Sequence, residues 1–324
     1  MILGQLARQN LSLAGIPGAM NTTVDPRWEV ADGQLELLYS AGTWTMVWLC
    51  LFYLISVTFP WWISQVQPST KPHENDRYWC SRDLFGLVHA VIISALSLPP
   101  LFLLLFAGEH VKFASSPHLA TCEVDRGINP ELVDWELTMQ AVSVAGLAFT
   151  TFTLADLVIL MIHGLATADY VAHHVAFLCA GCILRGHCML PFNAAVLMAM
   201  EVSTPFLNWV MFFRHRGEQY QSQVIFCGVV FFLTFLVFRL GLNLFGTILL
   251  VVDEARGLAM PENVPEWQQI TVIFAIIAGA IVQLYWLPKI WKMFGVRIWQ
   301  YAATGHANTG DEEPEDSDSE STTK

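Results

Sequence analysis

Apolar residues run along this chain in blocks too long and unbroken for the one-sided stripe of a soluble helix. Crossing the hydrocarbon takes about 20 predominantly apolar residues at roughly 1.5 Å of rise each. Seven blocks reach that length, at positions 44–66, 84–107, 138–162, 170–188, 190–213, 224–252 and 270–291. Each reads as a helix, because a helix satisfies all its backbone groups internally where no water can. The pattern therefore predicts an all-α, polytopic integral membrane protein with about seven transmembrane helices. The fourth block is the least apolar, since it holds His173, His174 and Arg185, and almost nothing separates it from the fifth. Either these two form a tight helical hairpin, or the fourth is partly re-entrant and six crossings remain.

Composition agrees with the pattern. The 324 residues are 54% hydrophobic and only 14% charged, where a soluble domain carries nearer a quarter charged. The formal charge of −12 says little about partners, because the run from Asp311 to Glu320 alone holds seven acids and no base. No basic stripe with interleaved aromatics is present, which argues against nucleic-acid binding. The tail beyond Gly305 has too little to bury and reads as disordered. It is a candidate surface for protein partners, and Ser317 and Ser319 among its acids are candidate phosphorylation sites. The first 19 residues lack the continuous apolar core of a cleavable signal, so the first spanning helix is expected to act as signal anchor.

Tryptophans mark several block ends: Trp61, Trp62, Trp209, Trp286, Trp291 and Trp299. Indoles favour the headgroup level. Seven crossings put Lys71, Arg77, Arg82, Arg214, Arg216, Lys289, Lys292, Arg297 and Lys324 on one side. Arg8, Arg27, Lys112, Arg126, Arg185 and Arg256 fall on the other. Bases near helix ends favour the cytoplasm, so the C-terminus is expected to be cytosolic. Two glycosylation sequons, Asn10-Leu11-Ser12 and Asn21-Thr22-Thr23, then fall on the lumenal or extracellular side, as does the acidic 114–136 loop with Cys122. The endoplasmic reticulum and the plasma membrane both suit such a chain. Cys179 and Cys182 form a C-x-x-C, but within an apolar helix Cys acts as a small hydrophobe. A structural role is expected there.

Ionisable residues inside a bilayer are costly and usually face the bundle interior. Here they are His89, Asp156, His173, His174, Glu201 and Arg239, accompanied by Asn208 and Asn243. Glu201 and Asn208, seven apart, are expected to share a face, as are Arg239 and Asn243. Arg239 needs an intramembrane carboxylate, with Glu201 the first choice and Asp156 the second. Pro205 should kink the fifth helix beside Glu201 and free backbone carbonyls. Consecutive helical residues point about 100° apart, so His173 and His174 cannot both face one spot: one would carry chemistry while the other orients or packs. Asp169 and Asp156 are the candidate orienting carboxylates. Adjacent histidines lack the spacing that puts two ligands on one metal, so no metal is expected. The alternative to a cavity is a set of polar clamps that fix helix packing, each worth about 1 kcal/mol.

In chain order, these residues resemble the TLC domain, the family of TRAM, longevity-assurance and CLN proteins that includes the ceramide synthases. The resemblance rests on Ser81-Arg82 with His89-Ala90, Asp156 in Thr-Leu-Ala-Asp-Leu, and Asp169-Tyr170-Val171-Ala172-His173-His174. It continues through Glu201-Val-Ser-Thr-Pro-Phe-Leu-Asn208, Phe238-Arg239 and Gln283-Leu-Tyr-Trp-Leu-Pro-Lys289. It implies a helical bundle around a polar cavity, and a division into an N-terminal segment (1–43), a first helix and loop (44–76), the domain itself (77–294) and an acidic tail (295–324). The segment from Glu201 is similar to the TLC domain-containing proteins and lacks the His-Asp and Ser-Asp pairs of the synthases.

Three functions follow as expectations. The first is a protein that handles membrane lipids or fatty acyl chains in an intramembrane cavity lined by His89, Asn208 and Asn243, and so influences membrane lipid composition. The second is a ceramide-synthase-like acyltransferase with acyl-CoA as co-substrate and no resident cofactor. In it His173 or His174 would serve as base or nucleophile, with Asp156, Glu201 and Arg239 in support. The third is a non-enzymatic trafficking or cargo-receptor protein.

Overall fold

The computed structural model describes residues 26–106, 135–256 and 264–295, whose regular elements are all helical, with no strand among them. The helices are α1 (Pro26–Ile63), α2 (Arg77–Phe106), α3 (Trp135–Ile162), α4 (Ala168–His187), α5 (Pro191–Ala199), α6 (Thr204–Phe213), α7 (Gln221–Thr234), α8 (Asn243–Ala255) and α9 (Glu266–Ile290). A 3-10 turn at Met200–Ser203 joins α5 to α6 as the fifth rod, and a π-helical stretch at Phe235–Leu242 joins α7 to α8 as the sixth. A π turn at Trp291–Gly295 extends α9, the seventh rod. The sequons, residues 114–134 of the acidic loop with Cys122, Trp299, the Asp169 side chain and the acidic tail lie outside the described residues.

Six of the seven rods are long and apolar enough to cross a membrane. The exception is α4. It has the length, but its histidines and Arg185 lower its mean hydropathy, and it reads as a polar-bearing helix docked on the others. A three-residue hairpin joins it to α5. Cys188 closes α4 in the left-handed region at φ 49°, and Leu190 opens α5 at φ 51°. Two non-glycine residues with positive φ cost roughly 1–2 kcal/mol each. Their setting offsets that: Cys188, Met189, Leu190 and Phe192 are all buried, Met189 N–H donates to Leu184 O at 3.1 Å, and Pro191 supplies the preset φ of a first helical residue. Cys188 is disulfide-bonded. Cys179 and Cys182 are free thiols on the exposed face of α4.

The core sits where α1, α2, α3 and α5 meet. Trp48, Phe52, Phe85, Ile93, Ile159 and Phe192 interlock there with Ala145, Ala148, Ala155, Ala195 and Ala199. Between apolar helices in lipid, close backbone approach through small residues replaces the hydrophobic drive of water. One polar bond crosses this core: Trp48 Nε1–H donates to Ala148 O at 3.1 Å. The outward residues, Val57, Phe106, Phe226 and Phe274 among them, are large, apolar and exposed, as a lipid-facing surface requires.

One end of the bundle carries a polar knot that the pattern did not reveal. Glu74 and Arg216 are each about 1% exposed, although Arg216 counts in the sequence as a loop base. Arg216 donates to Phe212 O, Gln67 O, Asn75 Oδ1 and Glu74 O. The Glu74 carboxylate accepts from Ser69 Oγ at 2.6 Å and pairs with His215 Nδ1 at 2.8 Å. Together these bonds staple the α1–α2 loop to the loop after α6. Burial alone would raise the Glu74 carboxyl. The Ser69 and His215 hydrogen bonds, with the charges of His215 and Arg214, outweigh it and hold the group below its ordinary 4.5.

A carboxyl lowered on folding stabilises the native state above its unfolded value and loses that contribution as pH falls through the folded one. Thermal unfolding in detergent should therefore show a drop in Tm as the solution is acidified below about pH 4.5. In Glu74→Gln the midpoint should start lower and vary less with pH. Equal slopes in the two proteins would show that the knot is not held by this ionised carboxylate.

Candidate functional site

The polar residues of the interior gather into two ion centres, one on either side of α2. In the first, Arg82 on the opening turns of α2 reaches Asp156 on α3 in a two-pronged ion pair. Its Nε–H donates to Oδ1 and its Nη2–H to Oδ2, both at 2.9 Å. Asp156 Oδ2 also meets His174 Nε2 at 2.8 Å, and His174 Nδ1 lies 2.8 Å from Tyr170 O. The Arg82 guanidinium sits 5.0 Å from the centre of the Tyr170 ring. Asp156 and His174 are buried, and the Arg82 side chain is about a quarter exposed. The planar guanidinium matches a carboxylate two bonds at a time, and α2, α3 and α4 are thereby tied at one level.

The surroundings of His174 restrict its chemistry. A backbone carbonyl only accepts, so Nδ1 must carry the proton donated to Tyr170 O. Nε2 and Asp156 Oδ2 then share one further proton, as imidazolium–carboxylate or imidazole–carboxylic acid. Neither form leaves a ring lone pair directed at a substrate. His174 is thus a latch between α4 and α3. The ring of His173 points elsewhere: it is exposed and packs 4.6 Å from the Phe177 ring, and the two imidazole centres lie 5.7 Å apart. The expected divergence of the pair is what the structure shows.

The second centre joins the fifth and sixth rods. Arg239, carried on the π stretch, donates through Nε to Met200 O at 3.2 Å and Ser203 Oγ at 2.7 Å, and through Nη2 to Thr204 Oγ1 at 2.7 Å. Its Nη2 lies 3.8 Å from Glu201 Oε1, an ion pair looser than a hydrogen bond. Pro205 cannot donate, the chain tightens into the 3-10 turn at Met200–Ser203, and the Met200 carbonyl serves the guanidinium. Glu201 is thus the carboxylate beside Arg239, as the spacing suggested. Asp156, the second choice, belongs to Arg82 instead, because α3 packs against α2 and α4.

The remaining polar residues serve the seams between helices. His89 is buried with its ring stacked on Phe152, centres 3.4 Å apart, and edge-on to Trp48. Its Nε2 has no hydrogen-bond partner among the described residues. Asn208 does not follow Glu201 toward the sixth rod. It turns to α2, where Nδ2 lies 3.4 Å from Asp83 O, above Gly86, which leaves room for it. The intervening 3-10 turn, with 3.0 residues per turn, rotates the chain by about 20° per residue beyond the α-helical phase. Asn243 is buried in the sixth rod, its Nδ2 likewise unpartnered among the described residues. Asn193, which no pattern singled out, donates to Gly246 O at 3.0 Å and ties the fifth rod to the sixth. No group of three His, Cys, Asp or Glu residues is placed to hold a metal among the described residues.

A cleft with a cavity volume of about 60 Å3, open on one side, lies between α3, α4 and the fifth rod. Val142, Phe149, Phe177, Leu184, Ala194 and Leu197 give it an apolar wall, and among the described residues Arg185 is its single ionised lining residue. Gly181 matters here, since a Cβ on it would sit 2.6 Å from Thr150 Oγ1. Phe149 and Phe177, 5.6 Å apart, floor the inner end. Beyond them stand His89, near Phe149, and His173, against Phe177. His89, Asn208 and Asn243, expected on the cavity wall, do not line the cleft.

The Arg82–Asp156 pair sets a stability test. Removing one partner of a shielded pair strands the other, a loss of about 3 kcal/mol once partial exposure of Arg82 is allowed for. Asp156→Ala should therefore lower thermal stability markedly in detergent, while the paired change Arg82→Met with Asp156→Leu should recover much of the loss. Additive losses from the two sites would show that they do not act together.

The comparisons with known proteins come down to one match. Residues 43–292, more than three quarters of the chain, match the family model of the TLC domain, a span that takes in most of the apolar part of α1. No curated protein and no solved structure matches the chain. The helical bundle, the order of its polar motifs and this match agree: the chain is a multi-pass membrane protein and a member of the TLC domain family.

Proposed function

We propose that this protein binds a membrane lipid or fatty acyl chain in the cleft between α3, α4 and the fifth rod, and through that binding influences membrane lipid composition. The observation that carries the reading is the cleft itself. It is an apolar-walled groove between helices, open on one side, and it is bordered by the helix that has the least reason to lie in a bilayer. A gap between packed helices forfeits dispersion contacts along its whole wall, so a bundle that keeps one gains by filling it with an apolar guest.

Acyl transfer through His174 has less support, because both its ring nitrogens are committed to Tyr170 O and Asp156. With acyl-CoA as co-substrate, His173 would be the imidazole to examine. The orientation also has a structural argument. Disulfides persist in oxidising compartments, so a bonded Cys188 favours a lumenal or extracellular α4–α5 hairpin. The three rods that follow the hairpin would then leave the C-terminus cytosolic, in line with the loop charges.

Purification in mild detergent followed by native mass spectrometry should show bound lipid. Ala194→Phe, which projects a ring into the cleft, should lose most of it without a fall in Tm, and Val237→Phe on the exposed surface should keep it. Deleting the protein should also shift the cellular lipidome. Lipid-free wild-type protein, or equal lipid loading of both variants, would remove the binding reading.

A further inference from the structure

One carboxylate of the bundle is buried with half of it unsatisfied. Asp253, in the last turn of α8, is about 1% exposed, and its Oδ2 has no hydrogen-bond partner among the described residues. Its Oδ1 meets Arg256 Nη1 at 3.4 Å, but the Arg256 side chain is 60% exposed and spends much of its charge on water. A carboxylate offers about four lone-pair sites, and shielding them unfilled is costly. The location adds to the cost, because the last carbonyls of α8 and the negative end of its dipole lie at the same turn. Among the described residues from Asp253 to Gln268, the acids Asp253, Glu254 and Glu266 accompany Arg256 as the one base.

The helix across the seam carries a second such oxygen. Leu250 on α8 packs with Val272 and Ile276 on α9. The two helices are consecutive and antiparallel. One turn from that contact toward the connecting loop, Asp253, three after Leu250, comes opposite Gln268, four before Val272. Gln268 Oε1 is likewise buried without a partner among the described residues. From these two facing acceptors we propose that Asp253 and Gln268 bind a hard cation, Na+ or Ca2+, at the loop end of the α8–α9 seam. Oxygen donors select alkali and alkaline-earth ions over metals that seek thiolate or imidazole. A single carboxylate makes the site weak, in the millimolar range of low-charge calcium modules. Mg2+ fits less well, since it demands a near-octahedral shell and gives up its water reluctantly. Neither residue lines the cleft, so the site stands apart from the lipid reading. The ion ties the sixth rod to α9 where their apolar contact ends.

The test is thermal unfolding of the full chain in detergent at constant ionic strength, with N-methylglucamine chloride replaced in turn by NaCl, CaCl2 and MgCl2. Wild-type Tm should rise by about 2–4 °C with sodium or calcium and less with magnesium. Whichever of the two ions acts identifies the occupant. Asp253→Asn should remove the response, and in N-methylglucamine its Tm should match or exceed that of the wild type, since the uncompensated charge is gone. Gln268→Glu adds a second carboxylate and should move the midpoint for the active ion about tenfold lower. Glu254→Gln should respond as the wild type does. A wild-type Tm indifferent to both ions overturns the assignment without any variant. So does an Asp253→Asn protein that keeps the full response, or one destabilised equally in every buffer, because the carboxylate then serves only its bond to Arg256. A Gln268→Glu protein less stable at every ion concentration overturns it too, since that marks a direct Gln268–Asp253 bond in place of an ion.

Discussion

Hydrocarbon offers no hydrogen-bonding partner, and that single constraint organises this molecule. Each ionised group within the bundle must find its counterpart on another helix, so the ion pairs double as the joints of the fold. Arg82 and Asp156 join α2 to α3, and His174 adds α4. Arg239, with Glu201 and two hydroxyls, joins the fifth and sixth rods. The apolar core alone would hold α1, α2, α3 and α5 together. A second apolar cluster packs Leu184 of α4 and Leu250 of the sixth rod against Val272 and Ile276 of α9, and the polar centres add directional bonds to these contacts.

Local distortions of the helices follow the same logic. The 3-10 turn before Pro205 and the π stretch around Arg239 face one another, one presenting the Met200 carbonyl and the other the guanidinium that takes it. A regular α-helix consumes its carbonyls internally, so a buried arginine needs such irregularities as much as it needs an acid. The 3.8 Å separation from Glu201 fits this account: most of the stabilisation of Arg239 comes from direct bonds to neutral oxygens, and the carboxylate balances charge at slightly longer range.

The spans, the hairpin after α4 and the partnership of Arg239 with Glu201 could be read from the chain, because hydropathy, a proline and helical spacing are local signals. The Arg82–Asp156 pair could not. Arg82 lies just before a long apolar block, and a linear reading counts it as a loop base, whereas the helix begins at Arg77 and carries it inward to α3. Glu74 and Arg216 escaped for the same reason: burial of a charge is a property of two loops meeting, and neither loop announces the other. The cleft had no signature at all. Gly146, Gly181 and Ala194 are unremarkable small residues until three helices bring them to one gap.

Taken with its neighbours, α4 is a helix held at two ends by different means. At the hairpin end, buried Met189 and Leu190, two left-handed residues and a disulfide-bonded cysteine fix its position. At the other end, one shared proton between His174 and Asp156 is the direct polar link to α3. Between them lies the open-sided cleft. For the proposed lipid site, a helix pinned at one end and latched at the other would form a wall suited to admit a guest from the bilayer. Its reduced hydropathy then has a physical reason: the residues that make it a poor membrane span are the same ones that latch it and line the cleft it closes.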